Sequence, residues 1–348
     1  MKTTRMIGNV AARMLVLGLA GLASATGSAT EGALWQLHWH NDALTSSDNM
    51  FTSGIALEKA SALFADLAGT HGTPAFGKPL ARLFLPDQQG LHYREDWQIG
   101  QNIYTPSELY IEELLLNDTP YAGMVGWSNG FSAFDERRFS GFGLLLGWTG
   151  DEAFGEELQS ATHDFLDRTE PRGWDSQLEF EPLLNVYLTR KHKIWSTPRF
   201  DGAVSLDAAV GNFLTQGQAS LEMRFGRAPE GFSSLPSPVG AGLNYHAALR
   251  QPGFRYFYVT VALRGTGLIH SLPLHGNLLR DDTWSDQNVV DPRPFRGELL
   301  VAVHREWSTW GIHVAIFFGT NAVEENDKLF PSVNATNSYG TVTLEWQV

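Results

Sequence analysis

The chain has 348 residues, no cysteine, 12% aromatic and 18% charged side chains, and 25 Lys+Arg against 38 Asp+Glu. Lack of cysteine excludes a disulfide framework, a Cys-ligated metal and a thiol nucleophile. A mean hydropathy of -0.17 excludes a polytopic helical membrane protein, and the weight of aromatics and glycine over charge excludes a disordered chain.

The N-terminal segment reads as an export signal over residues 1–29. Lys2, Arg5 and Arg13 precede the apolar run MLVLGLAGLA (14–23), followed by small residues, with cleavage expected after Ala25 or Ala29. The run is too short to span a bilayer, which takes about 20 apolar residues. Residues 1–30 carry three basic and no acidic groups. Without them 22 basic face 38 acidic residues, a formal net charge of -16. Such a chain is a poor ligand for nucleic acid.

Residues 30–348 read as one domain in which the dominant period is two. In chain order, Leu221, Met223 and Phe225 oppose Ser220, Glu222 and Arg224; Phe257, Val259, Val261 and Leu263 oppose Tyr256, Tyr258, Thr260 and Arg264. Leu299, Val301 and Val303 oppose Glu298, Ala302 and His304; Trp310, Ile312, Val314, Ile316 and Phe318 oppose Gly311, His313 and Ala315; Val342, Leu344 and Trp346 oppose Thr341, Thr343 and Glu345. Period two puts neighbours on opposite faces of a sheet. A soluble sandwich shows the same alternation. The export signal, runs of membrane-spanning length and aromatics at strand ends favour a transmembrane antiparallel up-and-down β-barrel. Closure is required because open edges leave backbone groups unpaired in lipid. About a dozen strands are countable. Residues 61–93 and 268–297 read as loops, and 155–168 as the one short helix, with Glu156 and Glu157 in its first turn.

Three clusters could carry chemistry. In HNDALTSSDNMFTSG (40–54), Asn41, Asp42, Asp48 and Thr52 offer oxygen ligands near one strand end, which suits a hard cation such as Ca²⁺; ordinary turn chemistry uses the same residues. Gln159, His163 and Asp167 share one helix face, and a carboxylate beside an imidazole is how a general base is arranged. Glu179 and Glu181 share one face if 173–182 is a strand. GQNIYTPSEL (100–109) and DTPYAG (118–123) read as a strand, a Pro-terminated loop and a return strand, without chemistry of their own. No G-x-S-x-G elbow, phosphate loop or H-E-x-x-H helix occurs.

Taken in order, NDALTSSDNMFTSG, GQNIYTPSEL, DTPYAG, GEELQSATH with GWDSQLEFEP, GNFLTQGQASLEMRFG, HGNLLRDDTWSD and SYGTVTLEW resemble the outer-membrane lipid A 3'-O-deacylase family. The resemblance implies a twelve-stranded barrel in the Gram-negative outer membrane, with its site between the barrel wall and a helix from an extracellular loop. It implies calcium-dependent hydrolysis of the 3'-linked acyl ester of lipid A, with a His-activated water as nucleophile, by a chain acting as a monomer on lipopolysaccharide. Asn41 and Asp42 match the family's Asn-Asp pair and would hold Ca²⁺; Thr52 and His163 match its Thr and helix His. Phe51, Ser53 and Thr119 depart from the family's usual Tyr, Asn and Arg, and the loop ELYIEELLLND lacks the active-site Lys of some members. The alternatives are an outer-membrane phospholipase A, which would want a Ser beside its His on a strand, and a porin-like barrel with a decayed site.

Overall fold

The structure, a computed structural model, describes residues 32–45, 50–69, 77–166, 170–233, 235–325, 328–330 and 336–348. The expected export signal, Asp48 and Asp167 lie outside them. Fourteen strands are formed: β1 (Leu34–Asn41), β2 (Met50–Ala60), β3 (His92–Thr105), β4 (Ala122–Phe134), β5 (Arg138–Thr149), β6 (Pro182–Thr197), β7 (Phe200–Gly211), β8 (Leu214–Arg227), β9 (Glu230–Phe232), β10 (Ala247–Leu249), β11 (Tyr256–Ser271), β12 (Phe295–Glu306), β13 (Trp310–Asn321) and β14 (Thr336–Gln347). Twelve of them close an antiparallel barrel in chain order, β8 pairing directly with β11 and β1 with β14; β9 and β10 form a separate hairpin. No helix among the described residues is long and apolar enough to cross a membrane; the strands do so instead.

Alternation sorts the wall as the sequence indicates. Leu299, Val303, Val314 and Phe318 are exposed on the outer face, while Ala302, His304, His313 and Ala315 are buried in the lumen. Every barrel strand is hydrogen-bonded on both sides, so no edge faces lipid. Near the end that carries the chain termini, aromatic rings gather: Trp35 stacks on Trp346 and meets Trp97 edge-on, and Trp307 stacks on Trp310 at 3.8 Å. Such a ring suits the membrane–water interface. That end also has the tight turns 135–137, 198–199 and 307–309; the opposite end carries the long connections 106–121, 150–181 and 272–294. Long loops mark the extracellular side of such barrels.

The stretches read as loops hold more order than expected. Residues 61–91 contain helix α1 (Gly77–Phe84), whose Ala81 packs with Leu85, Tyr93, Phe131 and Phe142 on the outer wall. The predicted helix is α2 (Gly155–Leu166). Strand β11 runs on to Ser271, and the connection after it holds α3 (Leu272–His275) and α4 (Thr283–Gln287). Pro273 sits in the first turn of α3, and Asp282 caps α4, its carboxylate accepting from Ser285 N.

The segment between β8 and β11 enters the lumen. Val239 lies against Gly100 and Gly126, and Leu243 against Gly130, Gly141 and Gly143. A Cβ at Gly143 would stand 2.5 Å from Leu243. A row of glycines on three neighbouring strands therefore makes the room this apolar knob fills. Beyond it the lumen keeps a polar cavity of about 220 Å³, lined by Tyr104, Tyr187, Lys191, Asp207, Glu222 and Arg264 among others.

Candidate active site

Of the residues singled out around position 41, Asn41 and Thr52 lie on the outer face of the wall, at the end opposite the termini. His38 and His40 point into the lumen, bonded to Thr343 and Thr341, so alternation turns Asn41 outward. Asn41 closes β1 and caps the 3-10 turn Asp42–Leu44, its Oδ1 accepting from Ala43 N at 2.9 Å. Its Nδ2 donates to the Thr52 carbonyl across the strand pair at 3.2 Å. Asp42 is buried in that turn, and Thr45 ties the turn to β14 by donating to Ser338 O and Asp42 O.

Thr52 lies in a bulge: the β2–β3 register shifts between Phe51 and Ser53. A bulge re-aims a side chain. Here the Thr52 hydroxyl meets the Thr105 hydroxyl at 2.6 Å. Met50, two residues before it, has a left-handed backbone (φ 61°), and Phe154, just before α2, another (φ 56°). These are the only non-glycine residues at positive φ among the described residues, and both flank this region. Backbone strain of this kind concentrates at functional sites.

Helix α2 brings His163. It starts where Gly155 packs on Gly123 of β4 and against the Trp174 ring, which would stand 2.5 Å from a Cβ at Gly155. Gln101 of β3 donates to the carbonyls of Ala153 and Phe154, fixing the turn that leads in. Leu158 then packs with Ile103 of β3, Tyr121 and Trp174. His163 follows five residues on, about 7.5 Å further along the axis, and is half-buried. Gln159, read as part of a catalytic face, is instead an anchor: it is buried and accepts from Trp174 Nε1 at 2.8 Å. Glu179 and Glu181 do not share a strand face, because 174–176 is a 3-10 turn and β6 begins only at Pro182. Glu179 is exposed beside Arg280, whereas Glu181 is buried and accepts from Asn212 Nδ2 and Leu279 N.

Two groups were not visible from the sequence. Thr105 was placed in a stretch without chemistry, yet its hydroxyl is the partner of Thr52. Asp118 is buried and accepts from Ser107 N, Ser107 Oγ and Thr119 N, closing the 106–121 loop. Burial pushes its carboxyl above the usual range, and those hydrogen bonds pull against that rise. The departures from the family pattern also find places. Thr119 donates to the Thr105 carbonyl at 3.2 Å. Phe51 faces the lumen between Tyr104 and Tyr339, at 5.6 and 5.1 Å, on the back of the wall from Thr52.

The strained strand ends and the helix that bears His163 thus lie at the same end of a closed barrel, the helix seated on β3 and β4. The fold defines the class: a closed twelve-stranded antiparallel barrel of the outer-membrane type. The pattern described as outer membrane protein LpxR matches residues 11–348. The chain therefore belongs to the LpxR family, the outer-membrane lipid A 3'-O-deacylases. Among solved structures it is similar to LpxR from Salmonella typhimurium, with a TM-score of 0.67 at 14% identity over 90% of this chain and 100% of that one. The β domain of the Bordetella autotransporter BrkA aligns at a TM-score of 0.44 and 8% identity, over 92% of this chain and 100% of that one, too distant to bear on the site. None of the curated proteins matches it by sequence.

Proposed function

We propose that the chain hydrolyses the 3'-linked acyl ester of lipid A at the outer-membrane surface, depends on Ca²⁺, and uses a water activated by His163. The observation that carries this reading is the position of Asn41, Thr52 and Thr105 on the outer face of the wall, with Asp42 in the turn that Asn41 caps, at the barrel end whose loop bears His163. An acyl chain in the outer leaflet reaches that face without leaving the membrane.

Water attacks an ester slowly at neutral pH. His163, placed beside the scissile carbonyl, takes the proton of the attacking water and returns it to the leaving alkoxide. The donor set at the end of β1 is oxygen only: the Asp42 carboxylate, the Asn41 amide oxygen and the carbonyls of the turn. That set fits Ca²⁺, which takes six to eight oxygens, and Asp42 and Asn41 would hold it. When bound, Ca²⁺ supplies positive charge near the ester oxygen. The Thr52–Thr105 hydroxyl pair offers one free O–H for that same oxygen, since two hydroxyls sharing one hydrogen bond leave one proton over.

Mass spectrometry of lipid A from cells with and without the protein tests the reading. Loss of the 3'-linked acyl mass is expected. Altered phospholipid chains with intact lipid A would replace it with a phospholipase, and no change in either would leave a barrel without this activity.

A further inference from the structure

The lumen holds a cluster that the outer-wall chemistry does not use. Glu58 of β2, Asp96 of β3 and His246 of the inserted segment are all buried, at 1%, 2% and 3% exposure. One ligand atom from each lies within 4.8 Å of the others. Glu58 Oε1 is 2.9 Å from His246 Nε2, and Glu58 Oε2 is 2.9 Å from His38 Nε2. His38 is held in turn by the Thr343 hydroxyl at its Nδ1. Asn244 Nδ2 also approaches Glu58 Oε2, at 3.4 Å. Asp96 differs from all of these: neither of its oxygens has a hydrogen-bond partner.

A buried carboxylate without partners is costly, and an ionised one far more so. Arg94, on the same face of β3, donates to the His246 carbonyl and offsets part of the local negative charge. It does not satisfy the two Asp96 oxygens. A cation between Asp96, Glu58 and His246 would.

We infer that these three residues form a divalent transition-metal site of the Zn²⁺ class, which pins the inserted segment to the wall. One imidazole and two carboxylates are borderline ligands, suited to Zn²⁺ and its first-row neighbours. Ca²⁺ is disfavoured by the imidazole and by the small number of oxygens. The outer partners are of the kind such sites use: His38 donates from Nε2 to Glu58 and orients it, and the Thr343 hydroxyl holds His38 at its Nδ1. The site lies on the opposite face of the wall from Asn41 and Asp42 and differs from them in donor type. It ties β2, β3 and the segment before β10 at one point, so the ion would seal the lumen at the end bearing the termini.

The test uses the full chain purified in detergent, stripped with a chelator, desalted and titrated with Zn²⁺ or Co²⁺ alone. Bound metal is counted by elemental mass spectrometry, and the Co²⁺ absorption spectrum reports imidazole ligation. The wild type should take up one equivalent. His38→Ala should weaken binding by the roughly 10–100-fold typical of an outer-shell partner, and Asp96→Asn and His246→Gln by more. Asp42→Ala should keep the equivalent. Each variant is first shown to be a folded barrel by its altered gel mobility without heating. In the wild type, stripping the metal should increase proteolysis within 228–255. Absence of saturable Zn²⁺ or Co²⁺ binding in the wild type overturns the inference even if no variant folds. So does a folded Asp96→Asn barrel that keeps its equivalent.

Discussion

Replacing Trp174 by Phe separates the helix that bears His163 from the barrel that supports it. The Trp174 ring is buried against Tyr121, centroids 4.9 Å apart, and against Gly155. Phe keeps an aromatic ring there but removes the indole N–H, leaving the buried Gln159 Oε1 without its donor. A buried acceptor stripped of its partner costs about 1–3 kcal/mol. The cost falls on docking of α2, because the barrel ladder does not run through this contact. The ratio of docked to undocked helix should therefore drop by about 5–150-fold. Hydrogen exchange of the 155–166 amides should accelerate by that factor, while the amides of β3 and β4 stay protected and the barrel still shows altered mobility without heating. Lipid A deacylation should fall as the docked fraction falls. Adding Gln159→Leu to Trp174→Phe removes the stranded acceptor, since deleting both partners is nearly neutral, and should restore both protection and turnover. Unchanged exchange in Trp174→Phe, or a double variant as loose as the single one, would refute the idea that this hydrogen bond docks the helix.

Three further outcomes are expected. His163→Ala should lower turnover by roughly 10²–10⁴-fold, the usual contribution of a positioned base, with membrane insertion intact; wild-type lipid A turnover in an inserted barrel would remove His163 from the mechanism. A calcium chelator should abolish activity and added Ca²⁺ restore it, with Asp42→Ala insensitive to both; full activity in chelator would show that protein donors alone stabilise the oxyanion. The 272–294 connection should loosen as pH falls below the ordinary imidazole value of 6.5, because burial lowers the His275 pKa. Above 6.5 the ring is neutral whether the loop is docked or not, and the contact is fully present. Below it the undocked ring takes up a proton first, and the docked state loses its advantage until its own lowered pKa is passed. Limited proteolysis at pH 7.5 and 5.5 reads this, and His275→Gln should flatten the difference.

Wall and faces were legible because period two is a local property: each of the runs around Val259, Val301, Val314 and Leu344 shows its outer face in the residues themselves. Helix α2 was legible for the same reason, its acidic first turn standing ahead of an apolar stripe. The lumen plug was not. What announces it is a set of glycines on β3, β4 and β5, and only the register shows that Gly100 and Gly126 face one apolar side chain and Gly141 and Gly143 another. Gln159 and Glu179 were misplaced because spacing alone does not say what a side chain meets. One side chain caps a tryptophan from the next turn, and the other stands on a loop rather than a strand. Thr105 escaped notice because its role depends on the bulge at Thr52, which a pairing partner creates.

The wall here is one strand thick, so each residue of the proposed site on a strand has a neighbour on the other side. His40 precedes Asn41, Phe51 precedes Thr52, and Tyr104 precedes Thr105; the first of each pair faces the lumen and the second faces lipid. Phe51 joins the other two lumen rings and Tyr339: His40 lies 6.3 Å from Phe51, Phe51 lies 5.6 Å from Tyr104 and 5.1 Å from Tyr339, and Phe317 stacks on Tyr339 at 4.4 Å. This aromatic layer backs the strand ends that carry Asn41, Thr52 and Thr105. It resists inward bending of a wall that the bulge and the left-handed Met50 already strain. The family's Tyr at position 51 is therefore exchanged for Phe on the structural side of the wall. A phenolic oxygen there would point to the lumen cavity, away from the outer face. The change leaves the outer hydroxyl pair intact, and its effect belongs to packing of the lumen layer rather than to the outer face.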